Sequence, residues 1–438
     1  MSTIDKTKEI LQKLEPILGK KTNALWKLNL LSMNPREEFE NNKLLGLIAD
    51  KEGKVDFKKA IRLPPPNPHI LAGKYRIGEV IYPEKEFADF GLRENEFIKH
   101  ILIAGITGAG KTNLSFQLLG QFARHKKSFL VFDWKMNYRA LGKLPEFQNL
   151  KIIRLGEKDC DFKFNPLIPP PGTNPKHWMA MLVDVIKHAF FVAHGVEYFF
   201  RKGIDHLYDQ YKVYEGNTEY PTFIDLEKLL RKEFVRGREM LWMSSAKRTL
   251  ACMTFSGLLG DILNSREPNR IEELLNKNVI LEMDNLATIE KIFLIESLLL
   301  WIYHYRKNES KREVFKHAII IEEAHHILSG QKELALGEET IMESVIRIIR
   351  EFGESVIAID QEPSKISNSI LANTNCKICF NLGNGKDIDT MAKCLSLNSE
   401  EKSSIDQLKV GHAIVKMKER FTNPIQIKIP LIPIEKCL

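Results

Sequence analysis

An α/β core built on a mostly parallel sheet with helices on both faces is the architecture this sequence predicts. Three observations carry that expectation. Gly105-Ile-Thr-Gly-Ala-Gly-Lys111-Thr112 sits between an apolar run of strand length, Phe97 to Ala104, and a segment with apolar residues at helical spacing, Asn113 to Ala123. Short buried-type runs alternate with helical stretches along most of the chain, as crossover-connected parallel strands require. One of those runs, Ile319-Ile320-Ile321, ends in two consecutive acids, Glu322 and Glu323.

Taken in order, residues 1–63 read as a helical N-terminal region without a clear β-barrel. Ile10, Leu11, Leu14, Ile17 and Leu18 fall on one face of a helix over residues 4–32. Pro64-Pro65-Pro66-Asn67-Pro68 is a stiff extended connector. It opens a segment, 64–98, in which Tyr75 to Tyr82 and Phe87 to Leu92 form short strands. The core is assigned to residues 99–173 and 265–438. Ser128 to Asp133 is a buried strand ending in an acid, and Lys151 to Leu155 is a shorter one. Residues 174–264 read as an α-helical insertion. Trp178, Met181, Leu182, Val185 and Ile186 share a helix face, and Thr222 with Asp225 has the spacing of a capping box. Strands return at Val279 to Asp284, Ala318 to Ile321, Ser355 to Ile359, Lys377 to Leu382 and His412 to Met417.

The 438 residues are 44% hydrophobic and 28% charged, an ordinary globular composition with enough chain for two or three structural units. A net charge of +7 is compatible with nucleic-acid contact without establishing it. The six cysteines are scattered, as in a reduced cytosolic protein. Cys376 and Cys379 form a C-x-x-C inside a strand-like run, with no second pair to complete a metal site. Met1 to Lys8 lacks the apolar core of a signal peptide, and the apolar stretch Ile292 to Tyr303 is too short to span a bilayer. A cytoplasmic protein without an integral membrane segment is expected.

The glycine loop fits the phosphate-binding pattern G-x-x-x-x-G-K-[ST] at every defined position. Gly105, Thr107, Gly108, Ala109, Gly110, Lys111, Thr112 and Asn113 are therefore expected to hold the phosphates of ATP. The glycines turn backbone N–H groups toward them, and the helix that follows adds the positive end of its dipole. Lys111 is placed to reach the β- and γ-phosphates, and Thr112 to hold Mg²⁺ together with Glu322. Glu323 is the expected base that takes a proton from the attacking water. Gln361, after the strand Ser355 to Asp360, is expected to sense the γ-phosphate and that water. Arg347 and Arg350 are either solvated residues of a surface helix or a finger reaching a neighbour's nucleotide. Lys135, Asn137 and Arg139, past the strand ending at Asp133, are candidate DNA contacts or solvated loop residues. The chain after the acid pair is too short for a second motor domain, so a single motor per chain implies sites shared around a ring.

In this order the motifs resemble the HerA family of hexameric DNA translocases, within the wider HerA/FtsK group that includes conjugation ATPases. The likeness runs from about His100 to Pro430. It rests on His100 to Thr112, Val131 to Asp133, Phe164-Asn-Pro-Leu167, Ile321 to His325, Arg347-x-x-Arg350-x-Phe-Gly353, Asp360-Gln361-x-Pro363-Ser364 and Gly411 to Val415. The resemblance implies a RecA-like P-loop motor fold, with Glu323 as catalytic base and Gln361 as sensor. It also implies that Arg350, or Arg347, acts on a neighbouring site. It further implies a homo-hexameric ring that translocates double-stranded DNA with a nuclease or effector partner, including roles in antiviral defence. The chain departs from the family's pattern in its helical N-terminus and in Glu362, where arginine is common. A nucleotide-gated scaffold for an antiphage effector and a peripheral conjugation or secretion ATPase are the alternative functions.

Overall fold

The structure is a computed structural model. It describes residues 63–82, 84–157, 160–255, 259–309, 311–330 and 339–433, together with Leu11, Thr22, Trp26 and Lys27. The expected helix over residues 4–32, and the docking role attached to residues 1–63, therefore lie outside the described residues apart from those four.

Eleven strands and eight helices of nine or more residues are described. In chain order they are β1 (Tyr75–Ile81), β2 (Glu86–Leu92), β3 (Ile101–Ala104), α1 (Lys111–Arg124), β4 (Ser128–Asp133) and β5 (Leu150–Arg154). Next come α2 (Pro175–Phe190), α3 (His194–Gln210), α4 (Phe223–Lys232), α5 (Glu239–Thr254), β6 (Asn278–Glu282), α6 (Thr288–Lys307), β7 (His317–Glu322), α7 (Ile341–Ile349) and β8 (Glu354–Asp360). The last are β9 (Cys376–Cys379), α8 (Gly385–Leu395), β10 (His412–Met417) and β11 (Ile425–Lys428). Two compact units share these elements. Unit 1 holds Met1–Glu94, Ile103–Leu118 and Asn375–Ile432, and unit 2 holds Asn95–Leu102, Leu119–Thr374 and Pro433–Leu438.

Within unit 2 the strand order is β8-β7-β4-β6-β5, with every pair parallel. All seven residues of β8 and all six of β7 are buried, which is why both read as unbroken apolar runs rather than alternating ones. Between β5 and β6 the described residues are helical or irregular. At the start of α4 the predicted pair Thr222 and Asp225 meets: the Thr222 N–H and hydroxyl both donate to the Asp225 carboxylate, at 2.9 and 3.0 Å. Asn174 caps α2 by accepting from the N–H of Lys176 and of His177. Helix α6 is buried on nearly every side, as a core helix with apolar residues all round must be. Ile292 to Tyr303 is its middle. No described helix is long and apolar enough to cross a membrane.

Within unit 1 the order is β2-β1-β11-β10-β9, and every pair is antiparallel. The α/β class expected from the sequence holds, with its parallel part in unit 2. The strands near 377 and 412, read as members of the same parallel alternation, are instead antiparallel neighbours. Cys376 and Cys379 both lie in β9 and are buried. A strand alternates faces residue by residue, so positions three apart point to opposite sides and do not share a metal.

Candidate phosphate loop and acidic strand ends

Strand β3 is fully buried and delivers the chain into the glycine loop, which belongs to unit 1. Gly108 and Gly110 have φ of +79° and +118°, in the region that L side chains avoid. A Cβ at Gly108 would meet no atom within 4 Å, so backbone conformation alone reserves that position for glycine. Gly105 is different: its Cβ would lie 2.7 Å from that of Phe380. The loop is braced from behind by the segments around 380 and 411. Ile106 N donates to Asn381 O (2.9 Å), Phe380 N to Ala104 O (2.8 Å) and Gly411 N to Ala109 O (2.9 Å). Lys111 Nζ donates back to the carbonyls of Gly105 (2.6 Å) and Ile106 (2.9 Å), which holds its ammonium over the loop. Helix α1 begins at Lys111, so the N–H groups of its first turn point at the loop. The Asn113 side chain bonds instead to the chain near 430. Its Nδ2 donates to Pro430 O and its Oδ1 accepts from Ile432 N, both at 2.9 Å. As a phosphate contact, Asn113 is left with its backbone.

In unit 2 four neighbouring parallel strands end in acids: Asp360 on β8, Glu322 on β7, Asp133 on β4 and Glu282 on β6. The carboxyl ends of such strands are where open α/β sheets place their ligands. Each acid is accommodated differently. Arg139 grips Glu282 with two bonds, 2.7 and 2.8 Å. Asp133 is buried and accepts from the N–H of Lys135, Asn137 and Tyr138. Burial nonetheless raises its pKa, against those bonds. Asp360 accepts from His325 N (2.6 Å) and Glu362 N (2.6 Å), and stands 3.0 Å from His325 Nδ1. His325 is partly buried, which works against its charge, yet Asp360 and the other nearby carboxylates raise its pKa overall. Glu322 is pushed up to about 7 by burial and then by the charge of Asp133 beside it.

Glu323 follows in a left-handed backbone conformation, φ 48° and ψ 46°, uncommon for a residue with a side chain. The turn swings its carboxylate away from the strand. Its Oε1 accepts from Gln361 Nε2 and from Lys135 Nζ, both at 2.6 Å. The structure thus brings the predicted base and sensor into contact. His326 stacks on Trp134 (4.9 Å between rings, 13° apart), and Lys291 Nζ lies 5.0 Å from the Trp134 ring centre. Glu323, His325 and Asp360 also present ligand atoms within 4.8 Å of one another. The His325 ring is already engaged there by Asp360.

Most of the remaining candidates have partners within the chain. Lys135 and Arg139, candidate DNA contacts, are paired with Glu323 and Glu282, and the Asn137 N–H is bonded to Asp133. Arg347 is held in a fork by Glu339, at 2.6 and 3.2 Å. Arg350 makes no side-chain hydrogen bond or ion pair among the described residues, which leaves it the freer of the two arginines. The sequence reading missed the roles of Lys135, His325 and Asp360. The repeated ending of buried runs in an acid was the available signal for Asp360.

Residues 75–185 match the family described as "Helicase HerA, central domain". In its motifs and fold the chain is similar to HerA/FtsK-type P-loop ATPases. The chain is similar to the DNA double-strand break repair helicase HerA of Sulfurisphaera tokodaii, 23% identical over 352 residues. The same helicase of Saccharolobus solfataricus is 25% identical over 361 residues. Both likenesses cover 78% of this chain, which spans 66% of the length of each relative. Among solved structures, VirB4 of Thermoanaerobacter pseudethanolicus superposes with a TM-score of 0.62 at 15% identity, over 83% of this chain and 98% of that one. The conjugative coupling protein TrwB does so with a TM-score of 0.60 at 13% identity, over 84% and 92%, in a structure with a non-hydrolysable ATP analogue. These two likenesses bear on the fold.

Proposed function

We propose that this chain is an ATP-hydrolysing ring motor that moves along double-stranded DNA. The observation that carries the reading is Glu323, offered from the end of a buried strand and bonded to Gln361, in a chain that also holds a complete phosphate loop. In this reading the loop N–H groups and Lys111 receive the β- and γ-phosphates. The donor chemistry suits Mg²⁺: a hydroxyl in the first turn of α1, and a buried carboxylate, Glu322, beside a second one. Thr112 and Glu322 are its proposed holders, and the ion supplies charge neutralisation at the phosphates. Glu323 takes a proton from a water whose oxygen bonds to the γ-phosphorus as the bond to the β–γ bridging oxygen breaks. The products are ADP and inorganic phosphate.

Arg350, on the turn after α7, is the residue proposed to act on a neighbouring subunit's nucleotide, with Arg347 held back by Glu339. The description of the curated relatives as double-strand break repair helicases favours a DNA-processing partner such as a nuclease over a secretion role. The test is phosphate release with and without duplex DNA at low salt, together with the oligomeric state by sedimentation. Turnover in an oligomer, accelerated by DNA, is expected. Turnover and DNA mobility that are both indifferent to mixing overturn the motor reading.

A further inference from the structure

We infer that Lys135 is a clamp that holds Glu323 idle and that contact with a nucleic-acid backbone releases it. The inference rests on the DNA-motor reading above and adds a regulating residue to it.

The geometry is specific. One carboxylate oxygen of Glu323, Oε1, carries both the Lys135 ammonium and the Gln361 amide, each at 2.6 Å. An oxygen that already accepts from an ammonium and an amide N–H has its lone pairs taken up, so it is closed to the hydrogen bond of an attacking water until one of them leaves. The other oxygen lies 4.0 Å from His325 Nδ1, a ring nitrogen already engaged by Asp360.

Lys135 is built to be the removable part. Its backbone is fixed: the turn after β4 donates three N–H groups to the buried Asp133 carboxylate. Its side chain is 53% exposed, whereas that of Glu323 is 15% exposed. An ion pair with one arm in solvent is a weak one. A polyanion competing for the ammonium needs to offset only that contact, and duplex DNA presents a charge about every 1.7 Å along its axis. Gln361 stays behind on Glu323 when Lys135 leaves, so release frees the base without unmooring it.

The experiment uses the full chain with Lys135→Met, which keeps the aliphatic stem and removes the charge, and Lys135→Arg, which keeps the charge. ATP turnover is read for each with and without duplex DNA. Lys135→Met should turn over about two- to five-fold faster than wild type without DNA, the range a weak ion pair allows. Its stimulation by DNA should fall toward one, and Lys135→Arg should restore stimulation. A Lys135→Met protein with the wild-type DNA-free rate and the wild-type stimulation ratio overturns the clamp. So does one that is folded, by an unchanged melting temperature, but slower than wild type without DNA. A wild type that hydrolyses ATP but ignores DNA overturns the motor reading and the release step, while a raised rate in Lys135→Met would still uphold the clamp.

Discussion

Glu323 occupies a left-handed backbone conformation that costs a side-chain-bearing residue on the order of 1–3 kcal/mol, and it spends its carboxylate on Gln361 and Lys135. Such a cost persists where the surrounding structure imposes it, here by the fixed ends of β7 and β8. Glu323→Gln should lower turnover by about 10²- to 10⁴-fold, the usual contribution of a positioned base, and leave ATP affinity nearly unchanged. Parallel phosphate-release and calorimetric binding measurements check this, and a loss of both together would mean a structural role. The acid pair and Gln361 were legible in the sequence because each follows an apolar strand in order. Lys135 was legible only as a charge in a loop: its partner lies 188 positions away, and no local pattern encodes that distance.

At the level of elements, the strands of unit 2 were readable because burial on both faces leaves continuous apolar runs. The antiparallel pairing in unit 1 was not readable, since a buried antiparallel strand such as β9 has the same composition as a parallel one. The amino end of β8 carries a second charged centre that periodicity does not announce. Glu354 is buried between Arg306 (2.5 Å) and His317 (2.7 Å). Burial alone would raise its pKa, but those two partners hold it down at about 2. Glu354→Gln should destabilise the fold by about 3 kcal/mol, because it takes the fully buried charge partner from Arg306 and leaves it only the partly exposed Glu309. Denaturant titration measures this, and a change under about 1 kcal/mol would mean that Glu309 suffices for Arg306. In the helical stretch, Gly195 lies under Trp242, where a Cβ would come within 2.2 Å of the indole. Gly195→Ala should cost about 1–3 kcal/mol through overpacking, seen as a lower denaturation midpoint.

For the molecule as a whole, acid stability follows from its buried titrating groups. Burial lowers the pKa of His100 to about 4, so the unfolded chain binds more protons than the folded one between pH 6.5 and 4. His100 on its own should remove on the order of 3 kcal/mol of stability across that window. Glu354 extends the loss: its contribution is complete above about pH 4.5 and disappears as pH falls toward 2. Glu322, raised to about 7, acts with the opposite sign between pH 7 and 4.5. The first part is therefore tested by comparing unfolding midpoints of wild type and His100→Gln from pH 7 to 4, and equal pH slopes in the two proteins would contradict it. The proposed ring has its own test. Arg350→Ala and Lys111→Ala proteins should each be inactive, yet recover part of the turnover when mixed, because a mixed ring pairs an intact loop with an intact arginine. Absence of recovery in rings shown to exchange subunits would place the arginine elsewhere.

The most direct test of the central claim is phosphate release from Mg-ATP, with and without duplex DNA, by wild-type, Lys111→Ala and Glu323→Gln proteins. Wild type should turn over ATP, and faster with DNA. Lys111→Ala should fail to bind nucleotide, and Glu323→Gln should bind it and not turn it over. Turnover by Glu323→Gln at the wild-type rate would contradict the assignment of the site.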